Sequence, residues 1–113
     1  MKRIVITAAL LGLVFSAHAA DVKKGQELVT KGGCVACHGE GLNKPIAPEY
    51  PKLAGQHADY LFYALKAYKT TSNPNVGRNN AIMAGQVAQF SNQDLKDIGA
   101  YIASLPGDLV LKK

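Results

Sequence analysis

The sequence predicts a small all-α domain. Apolar residues recur at helical spacing in separate segments, Gly and Pro clusters divide those segments, and no stretch alternates long enough to read as a strand. With 113 residues there is room for one domain. The elements follow in order. Asp21 is placed to cap a helix over 22–31, which Gly32 and Gly33 close. Residues 39–55 hold Pro45, Pro48 and Pro51 and read as an ordered loop. A second helix is expected over 59–69, with Tyr60, Leu61, Ala64, Leu65 and Tyr68 on one face. A polar loop follows over 70–80, broken by Pro74 and Gly77, and a further helical turn is predicted over 85–90. The last helix is the best marked. Ser91 and Asp94 have capping-box spacing, Leu95, Ile98, Ile102 and Leu105 keep helical period, and Pro106-Gly107 stops the run.

The N-terminus reads differently. Lys2 and Arg3 precede a 12-residue apolar run over 4–15, and small residues Ser16, Ala17, Ala19 and Ala20 come next. Basic, apolar and small in that order is the pattern of a secretory signal peptide, expected over 1–19 with cleavage after Ala19 or Ala20. The run is shorter than the ~20 residues a membrane-spanning helix needs. A periplasmic domain of residues 20–113 is the expectation, with no stable membrane insertion. Losing Lys2 and Arg3 lowers the basic count from 13 to 11 against 8 acidic residues, so the formal charge falls from +5 to +3. One arginine, Arg78, and scattered lysines are a poor match to nucleic acid, which asks for clustered cations.

The two cysteines carry the chemistry. Cys34 and Cys37 are separated by Val35-Ala36, and His38 follows at once. A disulfide across so short a loop adds little stability. A thioredoxin-like redox motif needs a βαβ context that is not predicted here. Zinc wants four ligands, and His57 is the only other histidine downstream of the signal. C-x-x-C-H is the haem attachment motif. Two thiols add across the two vinyl groups of haem, the two-residue spacer spans neighbouring pyrrole edges, and the adjacent histidine is left under the iron. One motif and no repeat predict one haem c. Cys34 and Cys37 are thus the expected covalent attachment points and His38 the expected first axial ligand.

An electron carrier needs a second axial ligand, since an open position admits oxygen or peroxide chemistry. Met83 is the one methionine outside the signal, and it sits 45 residues after His38 in a polar, non-periodic stretch where core filling is less expected. Met83 is the expected sixth ligand; His57 is the competing donor, and an open position the third option. A thioether favours ferrous iron and raises the potential over bis-histidine ligation. About 94 residues make a marginal core, so a macrocycle bonded at the centre is expected to complete it and the apo chain to fold poorly.

These residues resemble the class I cytochromes c. Gly25 and Tyr101 suit the crossing of the terminal helices in that family. Cys34-Val35-Ala36-Cys37-His38-Gly39, Pro51-Lys52-Leu53-Ala54-Gly55-Gln56, Tyr60-Leu61, Arg78-Asn79 ahead of Met83 and the helix after Ser91 resemble one half of a cytochrome c4, or a monohaem c5- or c-553-type protein. Cytochrome c4 carries two such domains, whereas this chain has one attachment motif. The resemblance implies the class I cytochrome c fold around one haem, with a carbonyl acceptor for the His38 imidazole at Pro48 or the nearby Pro45. It implies that Tyr50 and Leu53 line the haem edge. Arg78 can neutralise a haem propionate or stand as a surface residue. Tyr60, Tyr63 and Tyr68 are expected to pack the helix, and His57 to be exposed near its start.

No nucleophile–base pair or paired carboxylates accompany the motif, so an enzyme is not expected. The expected function is one-electron transfer, Fe(III)/Fe(II), by a monomer meeting transient protein redox partners. The alternatives are a haem subunit of a larger dehydrogenase, or a small peroxidase or gas-binding haem protein.

Overall fold

A computed structural model describes residues 18–70 and 75–108. The expected signal peptide over 1–19 therefore lies almost wholly outside the described residues. Among the described residues five α-helices run in chain order: α1 (Val22–Lys31), α2 (Val35–His38), α3 (Ala58–Ala67), α4 (Ala81–Val87) and α5 (Asn92–Ser104), with a 3-10 turn at Glu40–Leu42 between α2 and α3. The described residues contain no strand, and none of their helices is long and apolar enough to cross a membrane.

Helices α1 and α5 begin where their caps dictate. Asp21 stands in extended backbone and its Oδ1 accepts from the Lys24 amide at 3.0 Å, starting α1 where the sequence predicts. At α5 the box is complete: Ser91 Oγ accepts from the Asp94 amide at 3.1 Å, and Asp94 Oδ2 accepts from the Ser91 amide at 2.9 Å. Replacing Ser91 with alanine is expected to cost about 1 kcal/mol, read as a lowered thermal midpoint of the pigmented protein. An unchanged midpoint would mean that water caps α5 equally well.

The core lies where α1 and α3 pack on α5. Leu28 and Val29 of α1, Leu61 of α3 and Leu95, Ile98 and Ile102 of α5 are buried there, joined by Leu42, Val87 and Phe90. Gly25 makes the α1–α5 crossing possible. A Cβ on it would lie 2.0 Å from the Asp97 carbonyl oxygen and 2.8 Å from Tyr101 Cβ, so only hydrogen fits. The expected Gly25–Tyr101 crossing is therefore present. Below it the Asp97 carboxylate is buried and satisfied, accepting from the Asp21 amide at 2.9 Å and from Gln93 Nε2 at 3.0 Å.

Two expectations shift. Helix α3 buries Leu61 and half-buries Leu65, and the Tyr68 that ends it is half-buried as predicted, but Tyr60 and Tyr63 are 50% and 66% exposed, and Tyr63 packs only edge-on against Phe62, outside the core. The helix near Met83 starts at Ala81 and not at 85. Asn80 Oδ1 accepts from the Met83 amide at 3.0 Å, and that cap sets the start four residues early. Met83 accordingly lies within a helix, not in the irregular stretch expected of it.

Candidate haem-binding site

Cys34, Cys37 and His38 occupy a single helical turn. Cys34 caps α2, and its carbonyl accepts from the amides of Cys37 at 3.4 Å and His38 at 3.1 Å. Residues three and four apart on a helix share a face, so this turn holds both sulfurs and the imidazole on one side. Neither cysteine forms a disulfide, both are half-buried, and Cys34 packs against the main apolar cluster. Burial pushes the Cys34 thiol up, partly offset by a backbone hydrogen bond, and the neighbouring Cys37 adds to the rise. Gly39 ends the turn at φ 79°, where a Cβ would collide with the Lys44 carbonyl at 1.6 Å; the chain can reverse beside His38 only with glycine there.

His38 is buried, and its Nδ1 lies 2.7 Å from the carbonyl oxygen of Pro51. A carbonyl can only accept, so Nδ1 carries the proton and Nε2 keeps its lone pair. This is the tautomer a metal-binding histidine requires. The acceptor differs from the expected Pro48 or Pro45, and the path of the loop explains why. Ile46 donates its amide to the Cys37 carbonyl at 3.1 Å, and the chain then turns through the Tyr50 amide to the Ala47 carbonyl. It comes back over the imidazole only at Pro51, just before Leu53 and Ala54 both donate to the Leu42 carbonyl at 2.8 and 3.1 Å. Leu42, 1% exposed, takes a positive φ of 54° to present that carbonyl. A left-handed leucine costs about 1–2 kcal/mol, which its burial and the two hydrogen bonds offset. At the loop's outer end Asn43 and Lys52 both bond the Asp108 carboxylate, Lys52 first in effect, and hold it below the usual carboxylate range.

Of the residues expected to line the haem edge, Tyr50 stands edge-on to His38 with ring centroids 6.4 Å apart, and Leu53 is half-buried against the core. The nearby Cys37 raises the Tyr50 hydroxyl pKa, with desolvation second. Met83 is half-buried and packs against the same apolar cluster as Cys34. His57 is exposed at the N-cap of α3. Arg78 occupies a place the sequence reading did not foresee: it donates to the hydroxyls of Tyr60 at 2.8 Å and Tyr68 at 3.5 Å. Those hydroxyls, Tyr68 before Tyr60, raise the guanidinium pKa further. Tyr68 and Tyr60 stand 10 and 18 residues before Arg78, with Pro74 and Gly77 breaking the chain between, so no local pattern links the trio in the sequence.

A family model for cytochrome c matches residues 22–106, from the first residue of α1 to just beyond α5. The chain belongs to the cytochrome c family. A cytochrome c fold and a covalently bound haem c come with that membership, and the donor set suits the cofactor: paired thiols on one turn beside an imidazole with a free Nε2. Among curated relatives, the cytochrome c4 of Stutzerimonas stutzeri is 42% identical over 115 residues, covering 96% of this chain and 53% of that protein. Cytochrome c-554(548) of Halomonas halodenitrificans is 40% identical over 86 residues, covering 76% of this chain and 98% of that one. The solved structure of reduced recombinant cytochrome c4 from Pseudomonas stutzeri superposes with a TM-score of 0.70 at 39% identity, over 80% of this chain and 48% of the other. This cytochrome c chain thus spans about half the length of the cytochrome c4 relatives it matches, and nearly the whole of the c-554(548).

Proposed function

We propose that this cytochrome c is a periplasmic one-electron carrier and not an enzyme, its haem held by thioethers from Cys34 and Cys37 and by axial ligation from His38 and Met83. The reading rests chiefly on the Nδ1–Pro51 hydrogen bond, which leaves His38 Nε2 as a donor on the turn that bears both thiols. When bound, haem supplies Fe(III)/Fe(II) electron exchange. The chain's part is to keep the donor atoms still. His38 is fixed by burial and by a main-chain acceptor, the thiols ride on the same turn, and Met83 is held by the α4 cap, so little reorganises as charge changes. Exposed Val35, on the cysteine turn, and Ile46, bonded to its Cys37 carbonyl, are 48% and 67% accessible and suit brief apolar contact with protein redox partners. The N-terminal signal pattern supports export.

Replacing Met83 with alanine tests the reading. The ferric protein is expected to lose the weak far-red absorption of a sulfur–iron bond and to bind cyanide readily. Its potential should fall by roughly 0.1–0.3 V within the ~0.8 V that axial ligands span. An unchanged spectrum removes Met83 from the iron, and rapid cyanide binding by the unaltered protein would favour a peroxidase or gas-binding role.

A further inference from the structure

Helix α4 is seven residues long and unevenly anchored. Val87 and the following Phe90 are buried at its far end, where Lys69 Nζ also donates to the Phe90 carbonyl. Its near end is less covered by the chain's own residues: Ala81 and Ile82 are exposed, and Met83 is half-buried. Seven residues do not hold a helix in water unaided. The near end is therefore held from outside the helix.

We propose that Arg78, gripped between Tyr60 and Tyr68, is the positioning residue that keeps Met83 seated on the haem iron; this builds on the reading of Met83 as axial ligand. The guanidinium carbon lies 5.6 Å from the centroid of each tyrosine ring, within cation–π range of both. It also donates to the two hydroxyls, and the Arg78 amide donates to the Ala67 carbonyl at 3.1 Å. Main chain and side chain of Arg78 are thus both fastened to α3 and to the residue that ends it. Two residues on, Asn80 grips the Met83 amide. The path from α3 through Arg78 and Asn80 to Met83 is short and bonded at each stage. A thioether is a weak ligand that exogenous bases displace, so its hold depends on how often the side chain returns to the metal. Freeing residue 78 lets the near end of α4 drift and lowers that return rate.

The test uses the purified holoprotein. Arg78→Leu is expected to raise the apparent affinity of ferric protein for imidazole about tenfold, equal to about 1.4 kcal/mol of lost methionine retention. On heating, the far-red band should disappear below the temperature at which the helical signal melts. Tyr60→Phe with Tyr68→Phe keeps the rings but removes the hydroxyls, and a smaller rise of about threefold is expected. Arg78→Lys keeps a cation over the rings and should recover part of the loss. Unchanged imidazole affinity in Arg78→Leu overturns the clamp. So does a shifted potential in Arg78→Leu with no effect of the double Tyr→Phe change, which would put Arg78 on a haem propionate. If Met83→Ala retains the far-red band, the ligand reading and the clamp fall together; if that band is lost while Arg78→Leu behaves as the unaltered protein, the clamp alone falls.

Discussion

Gly25→Ala is expected to destabilise the holoprotein by about 3 kcal/mol, a large share of the 5–15 kcal/mol that holds a small domain together. The two contributions oppose each other, which makes the sign informative. Alanine in place of glycine within a helix favours folding by about 1 kcal/mol through propensity alone. Against this stands a methyl group 2.0 Å from the Asp97 carbonyl oxygen and 2.6 Å from its carbon, both main-chain atoms that cannot rotate away. Helix α1 must move off α5 by more than an ångström. That motion loosens Leu28 and Val29 against Ile98 and Ile102 and stretches the bond from the Asp21 amide to Asp97. Packing should win. Denaturant titration of the pigmented protein reads the result, and a midpoint equal to or above that of the parent would show that the crossing is slack.

A chain with both Cys34→Ala and Cys37→Ala, purified free of pigment, is expected to lose most of its helical circular dichroism and to melt without a cooperative transition. Among the described residues nine apolar side chains form the buried core, and only Leu42 and Leu95 among the large ones fall below 2% exposure. Such a core scarcely offsets the conformational entropy of about 90 residues, at roughly 1.5 kcal/mol each. The loop over 43–53 has few buried groups of its own and is oriented chiefly by His38, Leu42 and Asp108. A sharp melt of the colourless protein would mean that the helices suffice and that haem is a passenger.

Where local chemistry decides, the sequence was readable. Helix α1 keeps the predicted bounds because Asp21 caps it and a glycine pair closes it; α5 follows from Ser91, Asp94 and the Leu95–Ile98–Ile102 repeat. The turn that bears Cys34, Cys37 and His38 follows from five adjacent residues. What escaped depends on distant partners or on overlooked capping. Asn80 is a good N-cap, but the short Ala81-Ile82-Met83-Ala84 run after it has no helical period to announce α4. The choice of Pro51 over Pro48 or Pro45 turns on how Ile46 and Leu53 are pinned to Cys37 and Leu42, and no pattern in 43–53 encodes that. Leu42 hid in a Gly-rich turn yet is among the most buried residues, because its left-handed backbone drops it into the core. The Arg78 trio depends on α3 and the segment before α4 meeting, which only tertiary structure provides.

The acceptor that sets the proton on His38 is a main-chain oxygen, and that has a genetic consequence. Every amino acid carries the same carbonyl, so no codon change at position 51 deletes the acceptor. Had a side chain served, one base substitution could strip the imidazole of its partner and scramble its tautomer. Selection on this histidine is therefore blind to the identity of residue 51 as an acceptor. It acts instead on the anchors that set the path of the loop: Leu42 beneath it, and the Asn43–Lys52–Asp108 clasp at its rim. Drift in those positions can move the bond by tenths of an ångström and tune the donor by degrees, while the bond itself is inherited with the backbone.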